Sequence, residues 1–252
     1  MHYSDSESRR FQLQVYRDHI EDIHLKEIIQ EIESKNIDLA ILRIPAEKQY
    51  QIAALEQGNL PYIIADTLVY YTVDLTKYTV DPLRNTDLIF AECKLADQRV
   101  IGERVDEIFP GYTNHYYSNP HLNKENILEG YKEWASGYIA EENPSRISWI
   151  VKRGDDFVGF ATCSFDATES EGVLYGVRPR FSGGGIYGDF IRFTQNYFQK
   201  KQIPAMKVST QVQNYAVQKV WSREGFYLNK AYITIHINAF LRKKPVRNDS
   251  FQ

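Results

Sequence analysis

A mixed α/β (α+β) fold, a central sheet flanked by helices with a small α/β domain ahead of it, is predicted by three observations. Apolar residues at helical spacing (Ile20, Ile23, Leu25, Ile28, Ile29, Ile32) give way at once to a short buried run, Asp38 to Ile44. Two later apolar runs, Ser148 to Lys152 and Phe157 to Phe165, are joined by Arg153-Gly154-Asp155-Asp156, a hairpin connection. A third strand, Gly172 to Val177, enters the glycine-rich segment Val177-Arg178-Pro179-Arg180-Phe181-Ser182-Gly183-Gly184-Gly185-Ile186-Tyr187-Gly188, and an amphipathic helix, Ile186 to Lys200, follows.

The elements follow in order. Asp18 to Lys35 reads as the first amphipathic helix and Asp38 to Ile44 as a buried strand. Pro45 then opens a helix over Ala46 to Gln57, which Gly58-Asn59 ends. Tyr62 to Leu75 supplies one or two strands. These make a small domain, residues 1–80, too small to hold a deep core alone. Lys77 to Asn85 reads as a break, and Asp87 to Cys93 as the strand that begins the main domain, residues 86–240. Gln98 to Phe109 and Asn126 to Ile139 read as helices, separated by an aromatic, polar loop from Pro110 to Pro120 of the kind that carries specificity. After the helix Ile186 to Lys200, with Ile186, Phe190, Phe193 and Tyr197 on one face, Pro204 resets the chain into a strand, Met206 to Thr210. A helix over Asn214 to Glu224 ends at Gly225, and Tyr232 to Phe240 closes the sheet. No internal repeat is visible. Residues 241–252 read as a solvated basic tail.

At 252 residues the chain has room for a binding cleft, and its 43% apolar and 25% charged content is that of an ordinary globular protein. A net charge of −3 gives no footprint for nucleic acid. Cys93 and Cys163 lie too far apart to frame a disulfide fold or a metal site, so no metal is expected. The chain shows no apolar stretch near the roughly 20 residues that span a bilayer and no signal-peptide core, so the expected location is the cytoplasm, with no membrane partner. The oligomeric state is open, a homodimer included. Eighteen tyrosines suit a site for polar rings, although packing explains most of them.

The glycine segment points to a phosphate. Three consecutive glycines let backbone N–H groups crowd an anion, and the helix behind them adds the positive end of its dipole. No Gly-Lys-Ser/Thr follows, and no Gly-x-Gly-x-x-Gly stands early in the chain, so neither a P-loop nor a dinucleotide fold is indicated. The plain alternative is a turn that merely reverses the chain.

Residues 86–240, with strand, hairpin, strand, Val-x-Pro, glycine turn, helix, strand, and then Asn214, Ala216, Trp221 and Gly225-Phe226, resemble the GNAT N-acyltransferases. The resemblance implies the GNAT fold and acetyl-CoA or another short acyl-CoA as co-substrate. Anchored on Val177 and Pro179, the family pattern puts Ser182 at its usual Arg or Gln and Gly185 and Tyr187 at its glycines. Shifted by two residues it matches Arg180, Gly183 and Gly185. The implied contacts to the CoA pyrophosphate therefore comprise Val177, Arg180, Ser182, Gly183, Gly184, Gly185, Ile186, Tyr187 and Gly188, with Asn214 on the CoA arm. A backbone N–H near Gly176 or Val177 would be the oxyanion donor. Trp221 stands where the family usually has the tyrosine that protonates the leaving thiolate, and an indole N–H is no acid near neutral pH. Tyr215, Ser222 and Tyr187 are possible replacements.

The front half, with Leu39 to Ala46 and Ile64 to Val69, resembles that of nucleotide-sugar N-acyltransferases acting on dTDP-linked amino-dideoxysugars for lipopolysaccharide O-antigen. The implied activity is direct transfer of an acetyl or short hydroxyacyl group, such as 3-hydroxybutyryl, to the sugar amine. Tyr112, His115, Tyr116, Tyr117 and Arg178 are the candidate acceptor contacts, with Arg104 and Arg146 as further cations for phosphates. Two other readings stand beside this one: a GNAT acting on a protein or polyamine amine, and a non-catalytic CoA-binding domain.

Overall fold

Ten strands and eight α-helices form among the described residues of the computed structural model, which are 1–109, 114–140 and 143–243. They fall into two compact units. Residues 1–68, 114–126 and 231–243 make the first, and residues 69–109, 127–140 and 143–230 the second. This interleaved division differs from a split into 1–80 and 86–240, because the last strand of the chain belongs beside an early one.

In the first unit β1 (His2–Tyr3), α1 (Asp5–Phe11) and β2 (Val15–His19) precede α2 (Leu25–Ser34) and β3 (Leu39–Pro45). The helix expected from Asp18 thus begins at Leu25. Val15 to His19 instead runs parallel to β3, Val15 opposite Leu39 and His19 opposite Arg43, a pairing that periodicity along the chain does not disclose. The helix expected over Ala46 to Gln57 is a 3₁₀ stretch, Ala46–Ala53, widening into α3 (Ala54–Gln57). One strand, β4 (Tyr62–Asp74), passes from the first unit into the second, and β10 (Tyr227–Ile237) passes back. In the first unit β10 lies antiparallel to β3, Tyr232 opposite Pro45 and Ile237 opposite Ala40. The closing strand therefore starts five residues earlier than expected and stops before Phe240, which opens α8 (Phe240–Lys243). Ile28 and Ile32 of α2 pack with Ala40, Leu42 and Ile44 of β3 and Ile233, Ile235 and Ile237 of β10.

In the second unit the strands run in the order β4, β9 (Ala205–Gln211), β8 (Glu169–Val177), β7 (Asp156–Phe165), β6 (Arg146–Arg153), β5 (Leu88–Glu92). The β6–β7 hairpin is the expected one, with Gly154 at φ +57° in its two-residue turn. Helices α6 (Ile186–Lys200) and α7 (Tyr215–Arg223) contribute Ile186, Phe190, Ile191, Phe198 and Trp221 to a core with Val73, Trp149, Met206 and Val208. α4 (Gln98–Ile108) and α5 (Glu125–Ala140) give Ile101, Val105, Tyr131 and Ala135 to another, built on Ile150, Phe160 and Leu174.

A repeat that the sequence does not announce emerges here. β2–α2–β3–α3–β4 and β8–α6–β9–α7–β10 share one order, strand, helix, parallel strand, helix, strand, and β2 with β3 and β8 with β9 are both parallel pairs. Their helices also close alike. Ile37 N–H reaches Ile32 O at 2.9 Å past Asn36 at φ +52°, and Ile203 N–H reaches Phe198 O at 3.0 Å past Gln202 at φ +60°. Leu60 N–H to Leu55 O (3.4 Å) past Asn59 and Phe226 N–H to Trp221 O (3.0 Å) past Gly225 repeat the same left-handed stop.

Candidate functional site

The glycine turn is built for close approach of a ligand to backbone. Gly183, Gly184 and Gly185 have φ of +90°, +58° and +81°, and a Cβ on either of the first two would meet nothing within 4 Å. Glycine adopts these values without the penalty a side chain brings. The turn is exposed, and Gly185 caps the N-terminus of α6 with no side-chain cap hydrogen bond. Pro179 begins the 3₁₀ turn that sets up the approach. Arg84 lies alongside, its Nη1 3.9 Å from where a Gly185 Cβ would stand, and it is exposed with no ion pair among the described residues. In the sequence it falls in the break from Lys77 to Asn85. Arg180, the cation expected at the turn, is paired with Asp156 at 2.5 Å.

What holds the turn is a polar stripe on α6 that is buried: Asp189, Arg192 and Gln195, at helical spacing. Asp189 accepts the N–H groups of Arg84 (2.8 Å) and Asn85 (2.9 Å) and the Asn85 side-chain amide (2.7 Å), and that same amide donates to Gly184 O at 3.0 Å. Arg192 forms a two-pronged pair with Glu224, both bonds 2.7 Å, and Gln195 donates to Glu224 O. Burial works against the Arg192 charge, but the hydrogen bonds and charge of Glu224 outweigh it and hold the proton more tightly than usual. Gly188 serves the same packing: Glu224 Oε1 would stand 3.2 Å from its Cβ.

Upstream of the turn, β8 and β9 are paired from Glu169–Ala205 to Gly172–Val208, and the register goes no further although β8 continues to Val177. Val173 to Val177 thus keep one strand edge unladdered. Toward β7 the register jumps from Leu174–Thr162 to Gly172–Cys163, so Val173 is a bulged residue without a partner on either neighbouring strand. The expected oxyanion donors, Gly176 and Val177, lie opposite Phe160 and Gly159 in the β7 ladder, and no motif in the sequence marks Val173. Gly176 is there for packing as well, since a Cβ would fall 2.6 Å from Ile108.

Asn214 donates to Thr210 Oγ1 (3.0 Å) ahead of α7, and Trp221 is buried at 3% exposure with its ring 5.6 Å from that of Tyr71. Tyr187 lies against Tyr175, whose hydroxyl donates to Thr194 Oγ1 at 2.8 Å and whose phenol burial pushes well above its ordinary pKa. Tyr215 is exposed, and Ser222 donates to Gln218 O.

The acceptor candidates are divided between the two units. Arg178 donates to Glu107 at 2.8 Å, which holds that carboxyl below its usual range, and Arg104 flanks Glu107 as well. Tyr112 lies outside the described residues. In the first unit His115 is buried and Tyr116 donates to the buried carboxylate of Glu7, while the Tyr117 backbone closes a turn on Asn114. His115 Nδ1 and His236 Nε2 are 2.8 Å apart, and Asn119 Nδ2 is 3.1 Å from His236 Nδ1. Asn119 Oδ1 accepts the His121 N–H, so its amide nitrogen faces the imidazole and can only donate. Neutral His236 therefore carries its proton on Nε2 and gives it to His115. Burial lowers both imidazoles, His236 to about 3, with Arg17 and Arg43 adding to the effect. Among the described residues no cluster of His, Cys, Asp or Glu could hold a metal, and no helix is long and apolar enough to cross a membrane.

No family model matches the sequence, and no curated protein matches it. Solved structures do. A conserved protein of unknown function from Staphylococcus epidermidis superposes with a TM-score of 0.64 over 94% of this chain and 90% of its own, at 11% identity. A GCN5-related N-acetyltransferase from Sphaerobacter thermophilus does so at 0.56, covering 84% and 64%, at 15% identity. A tandem GNAT protein from the clavulanic acid biosynthesis pathway gives 0.55, covering 83% and 67%, at 8% identity. The fold is that of the GCN5-related N-acetyltransferases, as the motif order predicts. At such identities the likeness is one of fold.

Proposed function

We propose that the chain is an acyl-CoA-dependent N-acyltransferase, working by direct transfer to an amine. The observation that carries the reading is the run of three positive-φ glycines at the N-terminus of α6, beside Arg84 and below the place where β8 and β9 part. The turn amides and Arg84 would take the CoA diphosphate, and the unladdered edge of β8 would add the amides of the CoA arm as a strand edge adds a peptide. Val173, the bulged residue, supports an N–H free to stabilise the developing oxyanion. In the reaction the amine nitrogen bonds to the thioester carbon, the C–S bond breaks with its electron pair on sulfur, and the ammonium proton passes to solvent. A thiol pKa of about 8.5 makes the thiolate a tolerable leaving group.

The acceptor we propose is a dTDP-linked amino-dideoxysugar, on the strength of the front-half resemblance, with the enzyme working in the cytoplasm. One observation favours the alternative of a cationic protein or polyamine amine: Arg178 and Arg104 are engaged by Glu107 rather than held free for phosphates. Calorimetry with CoA, followed by thiol release from acetyl-CoA with dTDP-aminosugars, polyamines and peptide amines, tests both parts. Absence of CoA binding would end the acyltransferase reading, and acylation of simple amines as fast as dTDP-aminosugars would end the sugar assignment.

A further inference from the structure

Three glycines in succession let a ligand come close to backbone, but they do not choose one backbone conformation, because glycine has no Cβ to bias its rotation. A turn that meets an anion with N–H groups therefore needs a group outside itself to fix which way its peptides face. At Gly184 there is such a group: the Asn85 side-chain amide donates to Gly184 O at 3.0 Å. No peptide bond is cis, so the N–H that shares this peptide plane, that of Gly185, faces the opposite way from the carbonyl. Gly185 is exposed, and among the described residues no acceptor takes its N–H.

The Asn85 amide is itself held on both sides. Its Nδ2 donates also to Asp189 Oδ2 at 2.7 Å, and its Oδ1 accepts from Arg153 Nη2 at 3.0 Å. With two acceptors at its nitrogen and a guanidinium at its oxygen, the side chain has one orientation that satisfies it. Its partners are fixed in turn, Asp189 buried beside Arg192 and Arg153 paired with Asp87 at 2.8 Å. Tethering the segment to α6 does not need this side chain, since the backbone N–H groups of Arg84 and Asn85 already reach Asp189. We infer that Asn85 is a positioning residue for the diphosphate: acting through the Gly184–Gly185 peptide, it holds the Gly185 N–H toward the ligand before the ligand arrives. The inference rests on the acyl-CoA reading above. Its effect is pre-organisation, because a turn free to rotate must be ordered as the ligand binds, and that ordering weakens binding.

The test compares the wild type with Asn85→Ala, alone and combined with Arg84→Gln. Calorimetry reads CoA affinity, and relaxation of protein labelled with 15N-glycine, whose fourteen glycines give few signals, reads order in the turn. Asn85→Ala should bind CoA about tenfold more weakly, and by the same factor again in the Arg84→Gln background. In the unliganded variant the order parameters of Gly184 and Gly185 should fall from about 0.85 to below about 0.6. Unchanged affinity with a lowered thermal midpoint means that Asn85 serves stability alone, and a loss that disappears in the Arg84→Gln background means that it serves only to place Arg84; either result overturns the inference. The wild type supplies a check that needs no variant: Gly185 N–H should be rigid before CoA is added and shift downfield on its addition, and a turn that is mobile until CoA binds overturns the inference as well. Wild-type protein that binds no CoA overturns the acyl-CoA reading itself, a different outcome seen before any variant is made.

Discussion

On the proposed acyl-CoA reading, Arg84 and the three glycines beside it would divide the task of holding a diphosphate between a charge and a surface of N–H groups. Gly184→Ala puts a methyl where nothing stands within 4 Å, at φ +58°. The left-handed backbone should cost about 1–2 kcal/mol of stability, whereas CoA affinity should fall tenfold or more because the methyl occupies the ligand's place. Thermal unfolding and calorimetry on one sample separate the two effects. Arg84→Gln should weaken CoA roughly tenfold with little loss of stability, since the contacts to Asp189 come from backbone and Asn85. The glycines were legible in the sequence because no other residue tolerates three such φ values in a row. Arg84 was not, because what brings it to the turn is a hydrogen bond to Asp189, far along the chain. His115 and His236 belong to this scale too. Both are neutral when folded and bind protons near pH 6.5 when unfolded, so the unfolded chain holds more protons below that value. Stability should be full above pH 6.5 and fall as pH drops through it, by up to about 2.7 kcal/mol per unit for the two together. Denaturant titrations from pH 7.5 to 5 check the slope, and His236→Gln should flatten it.

Helix α6 shows what an element can hide. Its apolar face of Ile186, Phe190, Phe193 and Tyr197 was readable from spacing, and Phe193 indeed stacks on Phe90 at 3.9 Å. Asp189, Arg192 and Gln195 at the same spacing look like a solvated face, yet they are buried on the segment before β5 and on Glu224. Charge pattern alone does not distinguish the two, because partners at such sequence distance are invisible locally. Arg192→Met should leave the Glu224 carboxylate buried and unpaired, at a cost of about 3–5 kcal/mol. For a chain of this length that is a fall in melting temperature of roughly 6–20 °C. Differential scanning calorimetry reads it directly, and an unchanged midpoint would mean the pair is solvated in solution. The helix stops were half legible. Gly58-Asn59 and Gly225 read as stops, although the left-handed residue of the first is Asn59, whereas Asn36 and Gln202 stop their helices only because Ile37 and Ile203 fold back onto Ile32 and Phe198.

At the scale of the whole molecule, the repeated strand–helix–strand–helix–strand run carries its glycine turn once. Where β8 leads into Gly183 to Gly185, β2 leads into Ile20 to His24, and there Gln51 accepts the Ile23 N–H at 2.8 Å while Asp22 pairs with Lys48. That helix start has no glycine run, and its Ile23 N–H is already taken by Gln51, so it offers a diphosphate no cradle of free backbone N–H groups. Calorimetry should therefore return one CoA per chain, and a second site of similar affinity would contradict the assignment of the glycine turn as the binding element. The repeat escaped notice in the sequence because it is kept in backbone geometry, with Ile, Leu, Phe and Trp exchanged at its closing contacts. The exchange of strands between units bears on synthesis. The first unit needs residues 114–126 and 231–243 as well as its first 68, and the second needs the end of β4. An N-terminal fragment leaving the ribosome has therefore not yet been given its own β10, and the chain's earliest core, around Ile28, Leu42 and Ile44, waits with an unsatisfied strand edge until Tyr227–Ile237 has been made.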